Sequence, residues 1–483
     1  IMRNSLKKLL AEFKYLEQNS EKIKKGSIFL AYPGESNDGR DYIDEAIKKG
    51  AGAIIYDPLN FEWNTRWNVP NLAVKKLKDS ISNIADEFYN HPSNKINLIG
   101  VTGTNGKTSS VYWITQCLKN LERKAIMIST IGYGFIEKLE PTANTTPDAI
   151  KIQRIINDFG IDKVQDACIE VSSHGIKQGR VAGVDFDVRL FTNLSRDHLD
   201  YHDSIDSYAN IKKSFLLDAR KGNLVINIDD SLGKKIFKES KLGESQKISY
   251  GIDNTCKLQA KNLISKNKST KFDLIYQDKT AEVIVSVVGK YNIYNILGVI
   301  GVLISLGHQI ENINPILKRL SSVPGRAEVI ETGLDNCPKV IVDYAHTPDA
   351  LKNILESLKL LKYRNLIVVF GCGGDRDKGK RKEMAVIVNE YADFVIVTSD
   401  NPRNEEPKKI SDDICQNLII PNIAIEDREE AIKEALKRSD RNDLILIAGK
   451  GHETYQEIKG VRKDFSDRLL AKKYATSFFG AAN

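Results

Sequence analysis

Gly100-Val101-Thr102-Gly103-Thr104-Asn105-Gly106-Lys107-Thr108 decides the fold. It follows the apolar run Ile96-Asn97-Leu98-Ile99-Gly100-Val101 and precedes an amphipathic segment from Thr108 to Leu118, the strand, glycine-rich turn and helix order of a mononucleotide-binding unit. Such a loop aims backbone N–H groups and a helix N-terminus at phosphates. Gly103, Thr104, Asn105, Gly106, Lys107, Thr108 and Ser109 are the candidate nucleotide contacts, with Lys107 as point charge and the Thr108 hydroxyl as a ligand for Mg²⁺. Position 101 is valine where the strict P-loop pattern has its first glycine. Alone, the loop says only that the chain binds a nucleotide, and ATPases, GTPases and ligases share it.

Outward from the loop, the segment before it holds an opening helix, the short run Ile28 to Ala31, a turn at Pro33 to Arg40 and a strand through Ala51 to Tyr56, which makes a small α/β unit. His91 to Lys95 reads as a linker. Beyond the loop, strands are expected at 125–131, 166–171, 188–192 and 224–228, alternating with helices as in a mostly parallel sheet. Ile296 to Leu306 reads as a buried helix, since it falls short of the ~20 residues of a membrane span. After Ser321 to Gly325 the rhythm restarts with strands at 340–343, 366–370, 394–397 and 444–447, a doubly wound pattern. The expected architecture is α/β in three domains: a small N-terminal α/β domain (1–92), a central P-loop-type mononucleotide-binding domain (93–323) and a C-terminal Rossmann-like domain (324–483).

The 483 residues, 28% of them charged, carry 71 Lys and Arg against 64 Asp and Glu, a net +7 spread along the chain without a long basic run. Lysine stretches such as Lys257 to Lys271 alternate with polar and apolar residues and read as solvated surface, so a nucleic-acid partner is not expected, while anionic small substrates suit the excess. The six cysteines lack metal-ligand or redox-pair spacing, which predicts free thiols in a reducing compartment. With no secretory pattern at the start, the expectation is a cytoplasmic, monomeric protein acting on small molecules.

Further motifs follow the loop in order: Thr145-Thr146-Pro147-Asp148, Glu170-Val171-Ser172-Ser173-His174-Gly175, Thr192 to His202 and Tyr208-Ala209-Asn210-Ile211-Lys212. After them come Gly289 to Asn295, Pro324 to Glu328, Asp343-Tyr344-Ala345-His346-Thr347-Pro348-Asp349, Gly371 to Asp377, Asp400-Asn401-Pro402-Arg403 and Gly449-Lys450-Gly451-His452-Glu453. Together these resemble the Mur ligase family over nearly the whole chain after residue 95. The motifs look like those of its members that attach meso-diaminopimelate to the D-glutamate of a UDP-linked muramoyl dipeptide in peptidoglycan precursor synthesis.

The resemblance implies an acyl-phosphate route, in which ATP phosphorylates a substrate carboxylate and an amine displaces the phosphate. It implies that Lys107, Glu170, His198 and Lys212 are catalytic, that Thr108, Glu170, His198 and Lys212 serve Mg²⁺, and that Lys212 is carbamylated, turning a cation into an anionic oxygen ligand. Asn292, Asn295, Arg326 and Asp343 would lie on the ATP side, although the two asparagines could instead cap the buried helix. Ser20, Glu35, Ser36, Asn37, Asn144, Thr145, Thr146, Ser172, Gln178 and Arg180 would hold the UDP-muramoyl dipeptide. Here Asn19-Ser20-Glu21 stands where the family usually has Asp-Ser-Arg. Arg376, Asp400, Asn401, Pro402, Arg403, Gly449 and Glu453 would form the diaminopimelate pocket, with the Arg403 guanidinium on the distal carboxylate and Glu453 facing the distal ammonium. A lysine-adding muramoyl ligase, a folylpolyglutamate synthetase and a catalytically silent nucleotide-binding protein remain alternatives at this point.

Overall fold

The structure is a computed structural model and describes residues 2–34, 37–160, 163–195, 201–202, 204–218, 222–266, 269–287 and 289–480. The chain forms two compact units: one from residues 1–100, 123–187 and 219–222, the other from 101–122, 188–218 and 223–483.

In the first unit, Tyr15–Glu17, Ser27–Ala31, Ala51–Tyr56 and Asn71–Ala73 lie side by side, all parallel. A parallel strand covered on both faces must be apolar throughout, and Ile28-Phe29-Leu30-Ala31 is. Ile28 and Leu30 enter one core with Leu77, Ile81, Ile84 and Ala85 of the helix Leu77–Phe88. Phe29 and Ala31 enter the opposite core with Ile43 and Ala46, flanked by Tyr56, Phe61, Trp63 and Trp67. This unit also pairs Ala125–Ser129 with Asp166–Glu170 in parallel. Arg123 holds buried Asp166 through two hydrogen bonds of 2.6 and 2.8 Å at the start of that pair.

The second unit carries parallel strands Val188–Phe191, Asn223–Asn227 and Lys247–Gly251. They are extended by Leu258–Lys266 and then by the antiparallel Ser269–Tyr276 and Lys279–Val285. In these strands Lys261 and Lys271 are exposed, as the reading of Lys257 to Lys271 expects, while Leu258, Ala260, Phe272, Leu274, Val283 and Val285 are buried. The helix Lys290–Ser305 buries Ile296 through Leu303, as expected. Its Gly298 and Gly301 let the sheet approach, because a Cβ there would meet Leu190 or Val225.

A second sheet in this unit has the order Glu328–Val329, Lys339–Asp343, Leu444–Ala448, Leu366–Phe370, Phe394–Val397, Asn422–Ala424, parallel except for the first strand. Helices Pro348–Leu358, Gly379–Asn389 and Pro407–Cys415 cover one face, and Arg428–Lys437 and Asp467–Phe479 cover the other. The last parallel strand in sequence therefore sits between the first two, and such a switch of strand order opens a crevice at the carboxyl ends. Asp343 is the last residue of its strand, and the Gly371–Asp377 loop, Asp400–Arg403 and Gly449–Glu453 follow the ends of theirs. All six cysteines are free thiols. Among the described residues no helix is long and apolar enough to cross a membrane.

Candidate active site

The strand Asn97–Thr102 delivers the loop and the helix Lys107–Asn120 receives it. Gly103 (φ +152°) and Gly106 (φ +82°) take backbone conformations that disfavour a side chain. A Cβ at Gly103 would strike the Thr192 hydroxyl, and one at Gly106 the Asn295 amide. The loop is braced from Thr192-Asn193: Thr192 Oγ1 donates to Asn105 O at 2.7 Å, and Asn193 Oδ1 accepts the Asn105 N–H at 3.0 Å.

Two ammonium groups converge on this loop. Lys107 Nζ donates to Gly103 O and Thr104 O at 3.1 and 2.7 Å, and Lys212 Nζ donates to Gly103 O at 2.8 Å. Tyr208 and Lys212 are four apart on the helix Ile205–Leu217, hence on one face, and the Lys212 ammonium lies 4.5 Å from the Tyr208 ring centre. Lys212 is buried, whereas its neighbour Lys213 pairs with Glu239. With the helix N-terminus adding partial positive charge, the loop is built for a polyanion.

A cavity of about 510 Å³ opens beside the loop, lined by Gly106, Ser109, Trp113, Asn292, Arg326 and Asp343 among others. Its walls are fixed by polar contacts. Arg326 Nη2 donates to Thr108 Oγ1 at 2.9 Å while its guanidinium lies 4.2 Å from the Tyr344 ring centre. Asp343 accepts the N–H groups of Ala327 and Ala345 at 2.6 and 2.7 Å; burial pushes its carboxyl above the usual range, and Arg326 works against that rise. Asn105 Nδ2 donates to Asp349 Oδ2 at 2.8 Å. The buried helix begins at Lys290 with Gly289 as its cap residue, so Asn292 and Asn295 lie inside it and do not cap it. Trp113 Nε1 is tied to Ser321 O at 3.0 Å.

At the carboxyl ends of the C-terminal sheet, Arg403 takes a left-handed conformation (φ +52°). Its Nη1 donates to Gly374 O at 2.8 Å and to Asn401 O at 3.5 Å, while Nε and Nη2 carry no hydrogen bond among the described residues. Asn401 Nδ2 donates to Glu453 Oε2 at 3.1 Å. Beneath them is Lys450, fully buried and 2.7 Å from Glu453 Oε2. Burial pushes Glu453 up against the pull of Lys450; burial also opposes ionisation of Asp400, but Lys450 and Arg428 outweigh it and hold that carboxyl low. Arg376 is exposed on the Gly371–Asp377 loop. Sequence reasoning gave Lys450 no role, and its only signal was membership of the Gly-Lys-Gly-His-Glu motif.

The first unit gathers another group. Thr146 Oγ1 donates to Glu170 O at 2.7 Å and accepts the Ser172 N–H at 2.9 Å. Arg180 donates to Thr146 O and to Gln178 Oε1, both at 2.5 Å. Glu170 is buried and its Oε2 accepts the Thr130 hydroxyl at 3.0 Å. Gln178 and Arg180 line a cavity of about 270 Å³ with Asp148 of the Thr145-Thr146-Pro147-Asp148 motif and with Gln18, Tyr32 and Lys78, three residues that sequence reasoning missed. Ser20 is not among its lining residues and donates to Glu45 at 3.4 Å. Asn37 closes the turn from Gly34 through its carbonyl. Thr145 accepts from Thr130 Oγ1 at 3.2 Å, and Asn144 is exposed. Glu35, Ser36 and His198 lie outside the described residues. Among the described residues no group of three His, Cys, Asp or Glu could hold a metal.

Three family descriptions match the chain in order: "Mur ligase family, catalytic domain" over residues 12–89, "Mur ligase middle domain" over 101–303 and "Mur ligase, glutamate ligase domain" over 325–451. The chain belongs to the Mur ligase family. Among its Mur ligase relatives are the UDP-N-acetylmuramoyl-L-alanyl-D-glutamate–2,6-diaminopimelate ligase 1 of Clostridium acetobutylicum, 36% identical over 98% of this chain and 100% of the relative, and the corresponding ligase of Fusobacterium nucleatum, 39% identical over 95% and 93%. A solved ligase of the same name is 31% identical with a TM-score of 0.67, covering 96% of this chain and 95% of that one. The MurF ligase from Thermotoga maritima in complex with ADP shares the fold at 20% identity, with a TM-score of 0.69 over 98% and 99%. Mur ligases use ATP, and the cation-lined loop described above is the feature of this chain suited to its phosphates.

Proposed function

We propose that this Mur ligase joins meso-diaminopimelate to the D-glutamate of UDP-N-acetylmuramoyl-L-alanyl-D-glutamate, with ATP as phosphoryl donor, in the cytoplasm and as a monomer. The observation that carries the reading is the Arg403 guanidinium, anchored through Nη1 while Nε and Nη2 carry no hydrogen bond among the described residues, with Asn401 linking it to Glu453. A planar fork of this kind suits a carboxylate, and a carboxylate on the distal end is what separates diaminopimelate from lysine.

In this reading the chain divides into a UDP-binding domain (1–92), an ATPase domain (93–323) and an amino-acid domain (324–483), a division supported by where the three family matches begin and end. Lys107 and the loop N–H groups hold the ATP phosphates, Arg326 and Asp343 border the nucleotide, and Asn292 and Asn295 line its pocket. Thr146, Ser172, Gln178 and Arg180 hold the dipeptide end, with Ser20, Glu35, Ser36, Asn37, Asn144 and Thr145 as further contacts. The substrate carboxylate takes the γ-phosphoryl group, the amine of diaminopimelate attacks the acyl carbon, and phosphate leaves as the amide forms. Exclusion of water protects the acyl phosphate until then.

Magnesium fits the donor chemistry, because Thr108 offers a hydroxyl and Glu170 a buried carboxylate, both hard oxygens. His198 and a carbamylated Lys212 are the further Mg²⁺ ligands of this reading, and the metal would neutralise phosphate charge when bound. Lys212 is the lysine for that modification, since it is the one of the adjacent pair turned toward the loop.

The test is ADP release by the purified protein with Mg-ATP and the UDP-muramoyl dipeptide, comparing meso-diaminopimelate with L-lysine and checking the product mass. Selective turnover with diaminopimelate is expected. Selective turnover with lysine would mean that Arg403 serves another purpose, and no turnover with either amine would overturn the ligase assignment.

A further inference from the structure

Lys450 is buried completely between Gly449 (φ +119°) and Gly451 (φ +52°), and these two backbone conformations carry the lysine through the carboxyl end of its strand. A Cβ on Gly449 would stand 2.8 Å from Asp400 Oδ2, so the strand end approaches the Asp400–Arg403 turn as closely as a glycine permits. The ammonium then closes a triangle. Lys450 Nζ donates to Asn401 Oδ1 at 3.0 Å and to Glu453 Oε2 at 2.7 Å, and Asn401 Nδ2 donates to the same Glu453 oxygen at 3.1 Å. Asn401 Oδ1 also accepts the Glu457 N–H at 2.9 Å, and Asp400 Oδ1 stands 3.8 Å from the ammonium. Glu453 Oε2 is thereby engaged twice, and Oε1 has no hydrogen bond among the described residues.

We propose that Lys450 is a positioning residue for the amine substrate: it locks Asn401 and Glu453 into one arrangement so that Glu453 presents Oε1 to the distal ammonium. A lysine on the surface would add charge to the pocket. This one, held away from solvent, acts through its two partners, and a buried charge network of this kind fixes geometry wherever all of its members are satisfied. The inference rests on the ligase reading above.

The experiment compares Lys450→Met, Glu453→Gln and the double variant, measuring KM separately for diaminopimelate, ATP and the UDP-muramoyl dipeptide, together with thermal melting. Wild-type turnover with diaminopimelate is established first; its absence would overturn the ligase reading itself. Given that turnover, K450M should raise the KM for diaminopimelate about tenfold or more while leaving the other two KM values within about twofold. The double variant should bind diaminopimelate no worse than E453Q alone, because the lysine acts through the glutamate. It should also melt above K450M, since E453Q removes the carboxylate that K450M leaves buried without its cation. A parallel rise in all three KM values would reduce Lys450 to a structural role and overturn the inference. Additive losses in the double variant would overturn it too, and the melting comparison separates either result from misfolding.

Discussion

Arg428 and Asp467 are both fully buried and joined by hydrogen bonds of 2.8 Å from Nε and Nη2, and the same guanidinium donates to Ala448 O at 2.9 Å. Removing one partner leaves the other charge without compensation. Arg428→Met is therefore expected to lower the unfolding free energy by about 3–5 kcal/mol, read by urea denaturation, and a loss below about 1 kcal/mol would contradict that account. Arg403→Ala acts on the pocket without touching the core: kcat/KM for diaminopimelate should fall by about two orders of magnitude while ADP affinity stays unchanged. Unaltered kcat/KM would remove Arg403 from the amine site. At this scale the sequence was informative where chemistry demands a residue type, as at Lys107 and Arg403. The Tyr208-Ala209-Asn210-Ile211-Lys212 motif singled out Lys212 rather than Lys213, and Lys212 is the buried one of the pair, whereas nothing in the sequence marked Lys450 as buried.

At the scale of elements, the phosphate loop stands or falls with Gly106, which needs a positive φ and has the Asn295 amide where a Cβ would go. Gly106→Ala should weaken ADP binding by about tenfold or more, since the left-handed conformation alone costs roughly 1–2 kcal/mol and the clash adds to it. Calorimetric titration of ADP tests this, and wild-type affinity would show that the loop can shift without loss. Buried parallel strands were legible because they are apolar end to end: Leu366–Phe370 and Phe394–Val397 fall where the sequence places them. The strands from Leu258 to Val285 were not. Their outer face carries Lys261, Lys271 and Glu282, so the apolar signal is halved and the run resembles solvated surface.

For the whole molecule, the residues assigned to the muramoyl dipeptide belong to the first unit and those assigned to the amine and the nucleotide loop to the second. Their effects should be separable. Arg180→Ala, which removes the fork bonded to Thr146 O and Gln178, should raise the KM for the UDP-muramoyl dipeptide by about tenfold and leave that for diaminopimelate within about twofold. Equal increases in both would argue that Arg180 only supports the fold. A final consequence comes from Trp113, whose indole lines the cavity beside the phosphate loop, whereas the other two tryptophans, Trp63 and Trp67, sit in the aromatic cluster of the first unit. The protein thus carries its own optical gauge of nucleotide occupancy: with Trp63 and Trp67 changed to phenylalanine, the remaining emission should respond to ADP and ignore the muramoyl dipeptide, so that the order in which the substrates arrive becomes visible without a label.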